Sequence, residues 1–451
     1  MNIPGHVTAL LVWLEKNGHS AWCVGGCVRD GLLGREPADW DVATTARPEE
    51  TMAVFGGCAL PTGLQHGTVT VLTPEGRIEV TTCRSDGLYR DCRHPDSVRF
   101  SGSIAEDLSR RDFTINAMAL NRSGAVIDLF SGRQDLEEGV LRCVGEPDRR
   151  FQEDALRILR GLRFAARLGF AVEEGTAASM RRNCPLLRRI AAERIREELT
   201  GLLCGREAGR VLREFPEVVD IVLPELTPMM GFDQQNRHHC YDVWEHTLHA
   251  VDAAPQDAVL RWAALLHDCG KPRCFTVDAA GSGHFYGHPA ASREIAAEIL
   301  RRLRFDNAGR DAILTLVEWH DRPIALTDKG VRRGLRRLGE ERLRQLIALK
   351  RADNLGQAPE FWDRQQELDK GEEILNRLIA EETCFSLRQL AVNGRDMMGL
   401  GLRGAQIGRT LEFLLEQVVD GALPNIREPL LSAACRRIEK EKPCNLTEND
   451  G

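Results

Sequence analysis

The chain reads as an α+β protein, with a mixed sheet and helices in the first third and an all-helical remainder. Three observations predict this. Short β-rich runs, GTVTVLT at 67–73, RIEVTTCR at 77–84 and AVIDLF at 125–130, fall within the first 140 residues between Gly-rich turns. From about residue 141 strand signals vanish, and EDALRILRGLRFAARLGF, ERIREELTGLL and AEILRRLRF carry apolar residues at helical spacing. The length, 451 residues, exceeds what one core holds, so roughly two to four domains are expected.

The opening stretch HVTALLVWLEKNG has a short apolar run broken by Glu15 and Lys16 and reads as an amphipathic helix, not a signal peptide. GGCVRDGLLGREPADWD follows at 25–41. Gly25 and Gly26 lack Cβ atoms, so a triphosphate can approach their N–H groups, and Arg29 offers a fork of donors to a phosphate oxygen. Asp39 and Asp41 are two apart; on a strand both carboxylates leave one face, an arrangement suited to Mg²⁺. Glu79, on RIEVTTCR, is the candidate third carboxylate. Arg110 and Arg111, with Asp112 and Asn116, put phosphate and ribose contacts in one segment. In Glu153-Asp154-Ala155-Leu156-Arg157, helical spacing sets Asp154 and Arg157 on one face, an acceptor beside a donor fork able to read a base edge. An ordinary ion pair is the plainer reading of that spacing.

Residues 141–213 contain 16 arginines, no lysine and 10 acidic residues, a positive stripe in a chain of net charge −7. Such a stripe fits either a nucleic-acid partner or an ion-paired helical face. Breaks are expected near Asn183-Cys184-Pro185, Phe215-Pro216, Leu223-Pro224 and 280–283, and the last residues, EKEKPCNLTENDG, read as a frayed tail. No apolar run reaches the ~18 residues of a membrane span. Fourteen cysteines without a C-x-x-C pair fit reduced thiols and a cytoplasmic location.

Together GGCVRD, DWDVATTA, PTGLQHGTVTVL, AEDLSRRDFTINAMAL, QEDALRILRGLRFAARLGF and ERIREEL resemble the class II CCA-adding tRNA nucleotidyltransferase and bacterial poly(A) polymerase family, over roughly residues 20–203. The resemblance implies a polymerase-β-like nucleotidyltransferase head at 1–140, a helical neck at 141–213, a helical body at 214–372 and a tRNA-binding helical tail at 373–451. It also implies roles. Asp39 and Asp41 would be catalytic and hold Mg²⁺; Gly25, Gly26 and Arg29 would cradle phosphates. Arg111, Asp112 and Asn116 would meet ribose and triphosphate. Asp154 and Arg157 would pair with incoming CTP or ATP, with Glu153 bracing Arg157, and residues 84–98 would be the flexible loop that helps the switch from C to A. Arg160, Arg163, Arg167 and the pairs at 181–182 and 188–189 are candidates for the acceptor-stem backbone, Arg160 and Arg163 also lying in the nucleotide-binding segment.

The helical half carries a second constellation: His246, His267, Asp268, His288, His320 and Asp353. Imidazoles and carboxylates in this mixture suit a transition metal that activates water. In the contexts WEHTLH, LLHDCGKP, YGHPAAS, EWHDRP and RADN they resemble the HD phosphohydrolase superfamily over about 238–356, which implies phosphatase or 2′,3′-cyclic phosphodiesterase activity on RNA ends. The neighbouring His267 and Asp268 fit one site at a helix kink. The leading expectation is a complete CCA-adding enzyme acting on tRNA with CTP and ATP, with an added hydrolytic site and no membrane association. Poly(A) polymerase, a CC-adding enzyme, an inactive RNA-binding relative and a hydrolase with a sensing head are the alternatives; the oligomeric state stays open.

Overall fold

The computed structural model describes residues 2–64, 67–86, 98–237, 239–381 and 384–441. The expected flexible loop at 84–98 falls mostly outside these residues, as does most of the expected frayed tail. Contacts divide the chain into two compact units. One is Met1–Met230 with Gln256–Ala258 and Ala297–Asp306; the other is Gly231–Pro255 with Val259–Ala296 and Asn307–Gly451.

The first unit opens with the helix Gly5–Lys16, whose buried Val7, Leu10, Leu11 and Leu14 repeat at helical spacing. Nine strands follow: β1 (Ala21–Val24), β2 (Asp41–Thr44), β3 (Ala59–Gly63), β4 (Thr68–Thr73), β5 (Gly76–Thr82), β6 (Arg84–Asp86), β7 (Val98–Phe100), β8 (Met118–Leu120) and β9 (Val126–Asp128). Seven form one sheet in the order β3-β4-β5-β2-β1-β8-β9, and β6 pairs with β7. β2 and β5 are parallel, with Asp41 opposite Glu79; the other neighbours in the seven-stranded sheet are antiparallel. Val24, Ala43, Cys83, Leu108 and Ala119 pack into one core under the sheet. That core fixes the strand ends carrying the glycine turn and the carboxylates.

Helices dominate beyond residue 141, but not alone. Val140–Leu141 pairs with Ala171–Val172 in parallel, and Thr276–Val277 with Gly283–His284 antiparallel, so the expectation of an all-helical remainder is corrected by two short ribbons. These two-residue strands carry too little alternation to signal themselves.

The second unit contains the helices Val243–Ala253, Asn307–Trp319, Asp328–Leu355 and Arg364–Ala380, the third kinked at Gly339. Val331, Leu335, Leu343, Ile347, Leu368, Leu375 and Leu378 form one of its cores. Met397, Leu414, Val419, Leu430 and Ala434, on the last three helices, belong to another, joined by Val392 just before them. Among the described residues no helix is long and apolar enough to cross a membrane.

Candidate functional site

Two constellations stand out, one in each unit. In the first, β1 ends at Val24 and the chain turns at Gly25, with φ 77° and ψ −131°, into the helix Gly26–Leu32. Only glycine adopts that backbone without strain, and a Cβ on Gly25 would lie 3.0 Å from Arg111 Nη1 and 4.0 Å from Asp41 Oδ2. The bare turn therefore sits against a guanidinium and a carboxylate.

Asp41 opens β2, whereas Asp39 precedes the strand; the intervening Trp40 is buried and both carboxylates are exposed. Asp41 keeps solvent contact, yet enough protein surrounds it that desolvation, then the charge of Glu79, raises its carboxyl above the usual range; Asp39 adds to this and Arg111 opposes it. Three carboxylates thus crowd one edge of the sheet. A hard cation relieves that crowding, so these residues fit a divalent ion held through oxygen.

Arginines surround the edge in a connected net. Arg29 Nη1 donates to Asn116 Oδ1 at 2.8 Å and its other nitrogens to Asp30 at 2.8 and 3.0 Å. Asp112 is buried; Oδ1 accepts from the Phe113 amide at 2.8 Å, and Oδ2 meets Arg160 Nε at 2.6 Å. Burial opposes the Asp112 charge, but Arg160 and Arg157 overcome it and hold the carboxyl below its usual range. Arg29, Arg160 and Arg163 place guanidinium carbons 5.2, 5.5 and 4.7 Å from the Phe164 ring centre. Arg163 also pairs with Glu198 at 2.6 Å.

The Asp154 and Arg157 pair differs from expectation in its local structure. They do not share one helix. Asp154 ends the helix Pro147–Glu153 in extended geometry, and Arg157 lies in the first turn of Leu156–Leu168. The physical reason is capping: Asp154 Oδ1 accepts from the Leu156 amide at 3.0 Å, as a helix-starting aspartate does. The two side chains are nonetheless each held. Arg157 donates to Glu153 Oε2 at 3.0 Å and to the Arg110 carbonyl at 3.2 Å, and Arg194 donates to Asp154 Oδ2 at 3.3 Å.

Sequence reasoning passed over Asp107 and assigned no role to Arg194. Asp107 is buried and pairs with Arg110 at 2.6 Å and Arg111 at 3.1 Å; burial opposes its charge, but the two guanidiniums overcome it and hold its carboxyl low. Asp107 stands at helical i,i+3 and i,i+4 spacing to Arg110 and Arg111, a signal that could have found it, whereas Arg194 meets Asp154 from 40 residues away, which no spacing rule singles out.

In the second unit all six singled-out residues converge. His246 lies on Val243–Ala253, a helix capped by Asp242, and Asp353 in the last turn of Asp328–Leu355. His267 and Asp268 follow the end of Ala258–Leu266, so a helix end, not a kink, brings them together. His288 begins His288–Arg302 and His320 follows Asn307–Trp319. The ligand-capable atoms form two groups, His246, His267, Asp268 and Asp353, and Asp268, His288 and His320, each within 4.8 Å.

The protonation pattern follows from the backbone. Nδ1 of His246, His267, His288 and His320 contacts the carbonyls of Gly356, Ala264, Phe285 and Val317 at 3.0, 2.8, 2.9 and 2.7 Å. A neutral ring donating there turns a bare Nε2 lone pair inward. Two such atoms face each other at 3.3 Å (His246 and His267) and two at 3.1 Å (His288 and His320). Asp268 Oδ2 lies 3.3 and 3.2 Å from the first pair, and Oδ1 3.3 and 3.5 Å from the second. Lone pairs that converge with carboxylates are a cation's donor set, so the residues fit a metal.

With protons alone to compensate, burial opposes charge on His267, but Asp268 and Asp353 raise it to about 10. Burial likewise opposes the Asp268 carboxylate, but His267 and Lys271 hold it well below the usual range. Gly356 admits the His246 contact: a Cβ there would stand 2.9 Å from His246 Nδ1. Two neighbours went unread in the sequence. Lys271 Nζ lies 2.7 Å from Asp268 Oδ2. His239 packs edge-on to His246 at 4.9 Å and is pushed down to about 2 by burial, then by Lys271.

Family models match stretches of both units. The Poly A polymerase head domain matches residues 21–142, a probable RNA- and SrmB-binding site of polymerase A matches 169–230, and the HD domain matches 237–357. A CCA-adding enzyme of Geobacillus stearothermophilus is 35% identical over 437 residues, 96% of each chain. The chain belongs to the CCA-adding enzymes. These are nucleotidyltransferases, and this member carries an HD domain besides. A CCA-adding enzyme of Limosilactobacillus reuteri is 48% identical over 202 residues, 45% of this chain; the chain spans about half, 50%, of that relative's length. The crystal structure of the Bacillus stearothermophilus CCA-adding enzyme in complex with CTP superposes with a TM-score of 0.75 at 31% identity, covering 98% of this chain and 99% of that one. A Thermotoga maritima CCA-adding enzyme complexed with tRNA shares the fold, at a TM-score of 0.57 and 20% identity over 97% of this chain and 96% of that one.

Proposed function

We propose that this member of the family adds C, C and A to the 3′ end of tRNA from CTP and ATP, without a nucleic-acid template and with release of pyrophosphate. The observation that carries the reading is the placement of Asp41, opposite Glu79, against the bare Gly25 turn and an arginine net continuing to Arg157. Gly25, Gly26, Arg29 and Arg111 bind the triphosphate, and Asn116 and Asp112 take the ribose. Because Asp112 already holds Arg160, a ribose hydroxyl enters by exchanging with that pair. The tRNA 3′-hydroxyl attacks the α-phosphorus in line. Asp39 and Asp41, with Glu79 as third carboxylate, would hold Mg²⁺, which offsets the charge developing on attacking and leaving oxygens.

Selection of C and A follows from hydrogen-bond polarity. Both bases present an exocyclic amine donor beside a ring-nitrogen acceptor on the pairing edge, whereas G and U present a carbonyl acceptor beside an N–H. Asp154 accepts from the amine and Arg157 donates to the ring nitrogen, so one fixed pair admits both correct bases and leaves G or U with opposed acceptors and opposed donors. Glu153 and Arg194 keep the two side chains still.

The HD cluster is a metal-dependent phosphohydrolase centre for RNA ends, with His246, His267, Asp268, His288, His320 and Asp353 holding a transition metal. Such a metal would lower the pKa of water there, making a hydroxide nucleophile available near neutral pH. Head 1–140, neck 141–213, body 214–372 and tail 373–451 remain the working functional division. Backbone recognition of the acceptor stem falls to neck arginines such as Arg167, Arg181, Arg182, Arg188 and Arg189. Twelve free cysteines among the described residues support a reducing, cytoplasmic setting.

Extension of a tRNA transcript lacking its terminal CCA, with Mg²⁺ and CTP, ATP or both, tests the reading. Two Cs with CTP and a finished CCA with both are expected. A ladder of As means poly(A) polymerase, and two Cs with no final A means a CC-adding enzyme.

A further inference from the structure

The HD cluster opens into a cavity of about 510 Å³ that also carries Arg237, His284 and Tyr286. Tyr286 is 77% exposed, the most exposed large apolar side chain among the described residues. Burial does not explain its position, and its surroundings hold it in order. The strand ends at His284 and the chain turns at Tyr286 and Gly287, where the His288 amide donates to the Phe285 carbonyl at 3.1 Å. Phe285 turns inward, its ring 5.4 Å from Phe275 with Lys271 Nζ 5.2 Å from its centre. On the other side His284 and Tyr286 stack, with centres 5.2 Å apart and planes within 10°. The His284 ring is pinned in turn: Nε2 contacts Asp278 Oδ2 at 2.8 Å, while Asp278 Oδ1 accepts the Ala280 and Ser282 amides, each at 2.9 Å. The result is a preset aromatic platform on the short ribbon Thr276–Val277 and Gly283–His284.

Its place relative to the cluster is equally specific. Tyr286 and the candidate ligand His288 are two residues apart, so their Cα atoms are separated by at most about 7 Å. That is the scale on which one nucleotide separates its base from its phosphate. Arg237 adds positive charge to the same cavity. A phosphate at the cluster leaves an attached base within reach of the platform.

We propose that Tyr286, backed by His284, stacks a nucleobase, so that the HD cavity takes nucleoside-linked phosphates in preference to small phosphomonoesters. The inference rests on the hydrolytic reading of the cluster and names its substrate class. Stacking uses the π-face that every base has, so the preference is for a base and not for one base.

The test uses the full-length chain and its Tyr286→Ala and Tyr286→Phe variants with two probes, adenosine 2′-monophosphate and β-glycerophosphate. Tyr286→Ala is expected to raise KM for the nucleotide about tenfold at unchanged kcat, the size of one lost base stack. Constants for β-glycerophosphate stay as they were, and Tyr286→Phe behaves as the parent. Equal changes on both probes, or none on the nucleotide, overturn the platform. If the parent protein, supplied with Mn²⁺, Co²⁺ or Ni²⁺, cleaves neither probe, the hydrolytic reading fails separately. Equilibrium dialysis of adenosine 2′-monophosphate then decides the platform: affinity weakened about tenfold by Tyr286→Ala supports it, and equal affinity overturns it.

Discussion

In the first unit, Arg29, Arg111 and Arg160 each lean on a carboxylate or amide of the chain itself, whereas in the second unit four histidine Nε2 atoms face one another with two carboxylates among them. The arginines of the first arrangement are matched without a ligand, whereas its crowded carboxylates Asp39, Asp41 and Glu79 are not. The arginines are held by Asp30, Asp107, Asp112 and Asn116. The second arrangement is balanced only by a cation or by protons, since bare lone pairs 3.1 and 3.3 Å apart repel. Its donor set fits a metal ion. The arginine net satisfies its own charges, whereas the histidine cluster, like the carboxylates beside the glycine turn, leaves a donor set that fits a cation.

The sharpest way to break the comparison is Asp41→Ala. Losing a carboxylate at the point of reaction should reduce nucleotide addition by about 1000-fold or more while hydrolysis at the HD cluster continues. Loss of both activities in one preparation would remove the distinction between the sites. A smaller effect sharpens the reading of the neck. Arg157→Ala should erode discrimination of CTP and ATP against GTP and UTP by about 10–100-fold, measured as ratios of kcat/KM. Unchanged selectivity would mean that Arg157 is only an ion-pair partner of Glu153. Smaller again, Gly25→Ala adds a Cβ 3.0 Å from Arg111 Nη1 at a backbone angle foreign to alanine. It should cost about 1–3 kcal/mol at the turn and slow addition about tenfold, leaving hydrolysis unchanged.

The smallest effect concerns acid. Asp107 and Asp112 have carboxyls held below their unfolded value of about 3.9. A depressed folded value contributes stability that is present above the unfolded value and lost as pH falls through the folded one. Urea unfolding between pH 5 and pH 3 should therefore show declining stability, and Asp107→Asn should flatten the decline. An unchanged slope would mean that the pair contributes nothing to acid stability.

These sites differ also in how far the sequence disclosed them. β4 and β5 alternate Val, Thr and Ile over six and seven residues, and their runs were legible. β1, β2 and β8 have only three or four residues and are largely buried, so no alternation marks them. The helix break at Asp154 was invisible because apolar periodicity continues across it, and only the cap to Leu156 reveals it. The HD residues stood out because histidines are scarce, 12 in the chain, and six of the liganding types recur in order. What could not be read was which groups hold the imidazole rings in place. Gly356, Ala264, Phe285 and Val317 contribute backbone carbonyls, which any residue type supplies. The Asp107 pairs were hidden for a related reason: a carboxylate beside arginines in sequence looks like any charged surface until its burial is known.

The central claim is that transfer and hydrolysis are separate chemistries, and His267→Ala tests it most directly. Bound metal per chain, phosphohydrolase activity and CCA addition are measured on one sample. The account predicts loss of the transition metal and of hydrolysis, with addition unchanged. An equal fall in addition would contradict it and make the histidine cluster a structural support of the transferase.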